Sequence, residues 1–274
     1  MSKFYTLVFL LLGLSVFSTG CFIQGGHVDR QVAPVPAIYD AAQKVGTASH
    51  ALLSEDTFNE LIVEIQPVGD FAPEPASLVQ LQKFLEAHLN KSGGITFQVN
   101  DPLPATGKSH FSIAEIRNLE TQSRKTFAKE KRLSVFILFV DGNCDHDEDR
   151  QKMLGHAHLS SSIVIYEKTL RDVTADPAQP PRGILETAIL EHEFGHLLGL
   201  VDNGSPEQSQ HRDLDHRFHC ANPECLMHYA LGSGQSGVLL TSVPTLDQDC
   251  EDDLKGNGGK AVTVPKPLLP RLDP

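Results

Sequence analysis

Five consecutive residues, His192-Glu193-Phe194-Gly195-His196, bring together the side chains that metal-assisted hydrolysis requires. On a helix, residues four apart stand one turn above each other on the same face. Two imidazoles so placed can share one zinc ion at the short distances zinc demands. Glu193 then lies beside the open side of the ion, where it can take the proton of a water molecule that attacks a carbonyl. A chance pair of histidines on an exposed helix is the bland alternative in a chain with 13 histidines. The residues that follow argue against it. Gly199 suits the left-handed backbone that ends a helix and turns the chain sharply. Three residues later Asp202 offers a carboxylate, which zinc accepts; without a metal it would cap the turn at Asn203-Gly204. His211, further along, is a competing third ligand, and the residues alone leave the choice open.

Further along stands Cys225-Leu226-Met227-His228-Tyr229. With the zinc helix and its turning glycine, this stretch resembles the metzincin clan of zinc peptidases. The resemblance covers residues 58 to 255. It implies an α/β (α+β) layered zincin, with a mixed twisted sheet and one long zinc-binding helix. It also implies a methionine turn at Met227 beneath the metal, and Tyr229 near the zinc as a group that orients substrate or stabilises an oxyanion. The string His219-Cys220-Ala-Asn-Pro-Glu-Cys225-Leu-Met227 is similar to the archaemetzincins, in which the histidine before the first cysteine is a ligand. The chain departs from that family by a long insertion after Gly199 and by lacking a later pair of closely spaced cysteines. A second, structural zinc site is therefore not expected.

The expected activity is zinc-dependent cleavage within protein or peptide chains, with Zn2+ as cofactor and Glu193 as general base. Alternatives are an exopeptidase of archaemetzincin type and a zinc-binding envelope lipoprotein without hydrolytic activity. An intact Glu193 argues against the last, since a binding site needs no base there.

The elements that must position these residues follow from apolar spacing. Leu61 to Gln66 is a β-branched strand candidate, and Ser77 is a candidate cap for a helix to Leu89. Ile95 to Val99 is a second strand, and a second helical pattern runs from Ile113 to Lys125. The almost unbroken apolar run Leu133 to Val140 suits a strand covered on both faces. Gly155 to Leu159 is an edge-strand candidate, and the resemblance to metzincins implies that extended substrate adds there by main-chain pairing. On it His156 and His158 alternate, so both should share a side, more often solvent than a groove. Ser162 to Tyr166 is another strand, Ile184 to Leu198 the zinc helix, and Leu246 to Leu254 a short helix carrying Cys250. Asp145, Asp147 and Asp149 open like a calcium loop, but Arg150 stands where glycine is required, so they read as a solvated acidic loop.

The ends differ from this middle. Lys3, an apolar run from Phe4 to Phe17 and the small residues before Cys21 make a secretory signal over residues 1–20. Gly20-Cys21 resembles the exit of a bacterial lipoprotein signal, which implies a lipid anchor at Cys21 and residence in the cell envelope (outer membrane or periplasm); ordinary cleavage would give a secreted protein. Residues 21–57 are expected to be a tether, and 256–274 a disordered tail. An exported protein with Cys144, Cys220, Cys225 and Cys250 suggests two disulfides, and proximity pairs Cys220 with Cys225 and Cys144 with Cys250. No cysteine lies between Cys21 and Cys144 to act as an inhibitory switch on the metal. A formal charge of -12 disfavours a nucleic-acid partner. Oligomeric state is not written in these residues.

Overall fold

The computed structural model describes residues 42–148, 152–232 and 240–264. The signal segment, Cys21 and the chain to residue 41 lie outside the described residues, as do 265–274.

The central sheet has five strands: β1 (Glu60–Pro67), β2 (Gly94–Val99), β4 (Arg132–Phe139), β6 (Gly155–Leu159) and β7 (Ser162–Ile165), in spatial order β2-β1-β4-β7-β6. All neighbours are parallel except the edge strand β6, which runs antiparallel to β7. Two short strands, β3 (His110–Phe111) and β5 (Asn143–Cys144), pair beside it. This is the mixed α/β layered sheet expected from the alternation of strands and helices.

The apolar run of β4 is covered on both sides. Leu133, Val135, Ile137 and Phe139 join a large core with Leu81 and Leu85 of α2 (Pro75–His88) and Ile189, Leu190 and Phe194 of α5 (Arg182–Leu197). Phe136, Leu138 and Val140 face the other way, toward Phe111, Tyr166 and Ile116 of α3 (Ile113–Ser123). Each such side chain contributes about 1.5–3 kcal/mol on burial, so the alternation along one strand holds both helical layers to the sheet. A capping box between Ser112 and Glu115 starts α3. The start of α2 is not Ser77 but Pro75, whose missing N–H costs nothing in a first turn. The Ser77 hydroxyl instead donates to the Gly183 carbonyl at 3.4 Å, joining α2 to the beginning of α5.

Both ends of the domain are longer than composition suggested. Within the expected tether, α1 (Ser49–Leu53) sends Ala51, Leu52 and Leu53 into the large core. The buried Lys91 ammonium donates to the carbonyls of Ala51, Ser54 and Phe58, which fixes that segment. Past α7 (Gln248–Gly256), the expected tail begins by docking: the Asn257 amide donates to Ser205 Oγ at 2.8 Å, and Lys260 N–H donates to the His88 carbonyl at 2.8 Å. Two further helices, α4 (Glu167–Thr174) and α6 (Tyr229–Gly232), complete the described elements. No helix among the described residues is long and apolar enough to cross a membrane.

Candidate active site

The site is built where the C-terminal half of α5 passes the edge strand. Two glycines make the approach close. A side chain at Gly155 would press on Ile189 and Glu193, and one at Gly195 would overlap the sulfur of Met227. Met227 is fully buried, with its sulfur against Gly195 of the helix. Gly199 has φ +89°, so the left-handed turn expected after the helix is present.

The turned chain returns through an insertion whose backbone is tied to itself. Val201 N–H donates to the Phe218 carbonyl, Asp213 N–H to that of His219, and Cys220 N–H to that of Met227. These bonds deliver His219 to the other two imidazoles. Ring centroids lie 4.8 Å apart for His192 and His196, 5.3 Å for His192 and His219, and 5.0 Å for His196 and His219. Each Nδ1 lies against a carbonyl oxygen: Leu226 at 2.8 Å for His192, Leu200 at 3.0 Å for His196 and Arg217 at 2.9 Å for His219. A carbonyl only accepts, so each Nδ1 carries the proton and each Nε2 keeps its lone pair. Burial lowers the pKa of all three, that of His192 to about 3 with help from the neighbouring His219. Three neutral, oriented imidazoles with ligand atoms within 4.8 Å of one another fit a divalent metal ion.

Of the three candidate third ligands, His219 is the one that stands beside His192 and His196. Asp202 points elsewhere: its φ is +51°, and its half-exposed carboxylate pairs with Arg212 at 2.7 Å. His211 also lies elsewhere, in a second cluster.

Glu193 is almost fully buried at the edge of the same group, and its Oε2 accepts the Ala157 N–H of β6 at 2.7 Å. Burial pushes its carboxyl up to about 7, against the opposing pull of that N–H. All four side chains open onto a cleft of about 980 Å³, which Tyr229 and His156 also line. Sequence reasoning placed His156 and His158 on one face of β6, but a register shift between Ala157 and Leu159 separates them. His158 is buried, with Nε2 3.0 Å from the Glu120 carboxylate, while His156 stays exposed at the cleft.

Neither a protein-family model nor a curated protein sequence matches the chain. Among solved structures the chain is similar to an archaemetzincin from Methanopyrus kandleri, at 16% identity and a TM-score of 0.43, covering 73% of this chain and 96% of that one. It is also similar to metalloproteinase-II from Bacteroides fragilis, at 16% identity and a TM-score of 0.39, covering 75% of this chain and 54% of that one.

A second cluster lies behind the first. All four cysteines in the described residues are free, so the expected disulfides are absent. Cys144 belongs to the smaller core, far from the pairing proposed with Cys250. The other three converge: Cys225 Sγ lies 3.6 Å from Cys250 Sγ, and His211 Nδ1 lies 3.5 Å from Cys220 Sγ and 3.8 Å from Cys250 Sγ. His211 Nε2 is held by Asp253 at 2.9 Å, and Asp247 stands 3.2 Å from Cys220 while capping α7. The expectation of no second metal-binding group is thus corrected. The missing donor comes from the insertion, where no fixed spacing announces it. Asp247 was missed because it comes from the cap of α7, which meets Cys220 only in the fold.

Proposed function

We propose that this chain is an exported zinc peptidase that cleaves within extended peptide chains, with Glu193 as its general base. The observation that carries the reading is the set of three carbonyl-anchored imidazoles facing one cleft beside a buried carboxylate. His192, His196 and His219 would hold the ion. When bound, zinc polarises the scissile carbonyl and acidifies an attacking water. Glu193 takes that water's proton, and its raised affinity for protons suits passing it on to the leaving amine. Ala157 N–H fixes which carboxylate oxygen remains free. Tyr229 supplies a hydroxyl at the cleft wall for the oxygen that gathers charge. Edge strand β6 offers a place for extended substrate to pair.

The second cluster belongs to the same reading as a structural zinc site, with His211, Cys220 and Cys250 as ligands and either Asp247, beside Cys220, or Cys225, beside Cys250, as the fourth. Buried thiolate and imidazole donors suit a closed tetrahedral site, with Asp253 holding the far nitrogen of His211. The amino-terminal apolar run supports export, and Gly20-Cys21 supports a lipid anchor in the cell envelope.

The test is metal content and cleavage of a mixed peptide library by the purified protein, beside Glu193→Ala. Two zinc equivalents in both proteins, with internal cleavage by the parent alone, is the expected result. Trimming from one end would replace the endopeptidase reading with an exopeptidase one. Full zinc with no cleavage by either protein would leave a zinc-binding protein only, and absence of zinc from both would end the proposal.

A further inference from the structure

One guanidinium in the cleft wall has no carboxylate partner. Ile113 and Arg117 lie one turn apart on α3, and both line the cleft. Arg117 donates from one terminal nitrogen to the His158 carbonyl at 3.3 Å, which sets it against β6, the strand on which extended substrate is proposed to pair. Its other N–H groups have no partner among the described residues, although the sequence holds 35 acidic residues against 23 lysines and arginines. The carboxylates of its own helix are engaged. Glu120 spends its oxygens on Arg124, His158 and Ser162, and Glu115 spends its own on Lys108 and Ser112. Asp145 and Glu148 line the cleft as well, and neither pairs with Arg117 among the described residues. A second cation stands at the same end of β6. The Gln43 carbonyl accepts the Ser160 N–H at 2.8 Å, and the adjacent Lys44 lines the cleft with no ion-pair partner among the described residues.

Resting on the peptidase reading, we propose that Arg117 binds a carboxylate of the substrate and so makes the cleft selective for acidic peptides. A guanidinium presents parallel N–H groups that match two carboxylate oxygens, and it stays charged at every working pH. The bond to His158 ties it to β6 one residue past Ala157, whose N–H holds Glu193. The selected position therefore lies at a fixed, short distance along the substrate from the bond that is cut. An acidic side chain and a free C-terminus both offer the required group, and only the first leaves cleavage internal. Arg117 acts on selection and takes no part in the chemistry at the metal. Lys44 adds charge of the same sign and strengthens the preference.

The experiment uses matched decapeptides that carry Glu, Gln or Lys at each position in turn, with the C-terminus free or amidated. The parent is compared with Arg117→Gln, which keeps an N–H for the His158 carbonyl but no charge, and with Arg117→Glu. A charge-assisted bond predicts that the parent favours Glu over Gln by about 10-fold in kcat/KM at one position, mainly through KM. That preference should disappear in Arg117→Gln. In Arg117→Glu it should pass to Lys at the same position, a reversal that a merely structural role does not produce. A preference seen only for the free C-terminus would assign the carboxylate to the chain end. A parent indifferent to charge at every position and at the terminus would overturn the proposal. So would an equal loss on Glu and Gln peptides in Arg117→Gln, which would make the arginine a support for β6. Binding of the same peptides to Glu193→Ala, with and without Arg117→Gln, separates the proposal from the reading beneath it. If the parent cleaves nothing while Arg117 still sets the affinity for Glu over Gln, the peptidase reading falls and the carboxylate site stands. No cleavage and no charge-dependent binding would end both.

Discussion

Two donor clusters sit back to back in this protein, and one peptide bond joins them: His219 faces the cleft and Cys220 faces the interior. Successive side chains in extended backbone point to opposite sides, so a single segment can serve both. Their chemistry differs accordingly. The cleft group has three imidazoles, an adjoining buried carboxylate and an opening to solvent. The inner group has three thiols and one imidazole, all at most 8% exposed, with the Asp247 and Asp253 carboxylates against them. An ion that must bind substrate needs a vacant coordination position, whereas an ion that only ties chain segments together does not. The contrast teaches that donor type and exposure, more than distance between donors, separate the two roles.

Paired substitutions can break this contrast. His219→Ala should lose one zinc equivalent and at least about 10³-fold in rate, the scale of several kcal/mol of lost charge stabilisation, with the melting temperature nearly unchanged. Cys250→Ser should also lose one equivalent, but its melting temperature should fall by about 10 °C, corresponding to roughly 3 kcal/mol in a domain of this size. If calorimetry and rates moved together in both variants, the division of labour would collapse.

A smaller effect separates the buried carboxylates of α5. Glu186 lies under the start of the helix, away from either cluster, and burial with the nearby Glu167 pushes it up to about 8. The folded protein therefore keeps a proton that the unfolded chain releases above its ordinary value near 4.5. Stability should fall as pH rises between those values and level off above. Glu186→Gln should flatten that fall and raise the melting temperature at pH 8 by a few degrees relative to pH 5, about 1–2 kcal/mol. A parent whose melting temperature does not fall from pH 5 to pH 8 would remove this cost. Smallest of all is Asp202→Asn. It should keep both zinc equivalents and change stability by less than about 1 kcal/mol, because only an exposed pair with Arg212 is lost. Loss of cleft zinc in that variant would return Asp202 to the ligand set.

What the sequence revealed followed the range of the interaction. Helical spacing is local, so α5 and its pair of histidines were legible to within two residues. The double-sided burial of β4 was legible because every residue in the run except Ser134 is apolar. The third ligand depended on backbone bonds such as that from Val201 to Phe218, which no spacing rule fixes across an insertion. The thiol cluster depended on where α7 docks, so proximity in sequence paired the wrong cysteines. His158 misled because a bulge of one residue reverses the side a strand residue faces. The resemblance to archaemetzincins offered His219 as one alternative, and it is the one that the backbone brings beside His192 and His196.

The absent side chain at Gly195 has a consequence for how this protein can vary. Positions 195 and 227 contend for one volume, so they form a single inherited choice and not two. A lineage that gained even a methyl group at 195 would have to shrink residue 227 in the same step or displace the helix that carries both histidines. Such a pair should drift together or stay fixed, and a survey of divergent copies of this chain would show the two positions changing in concert.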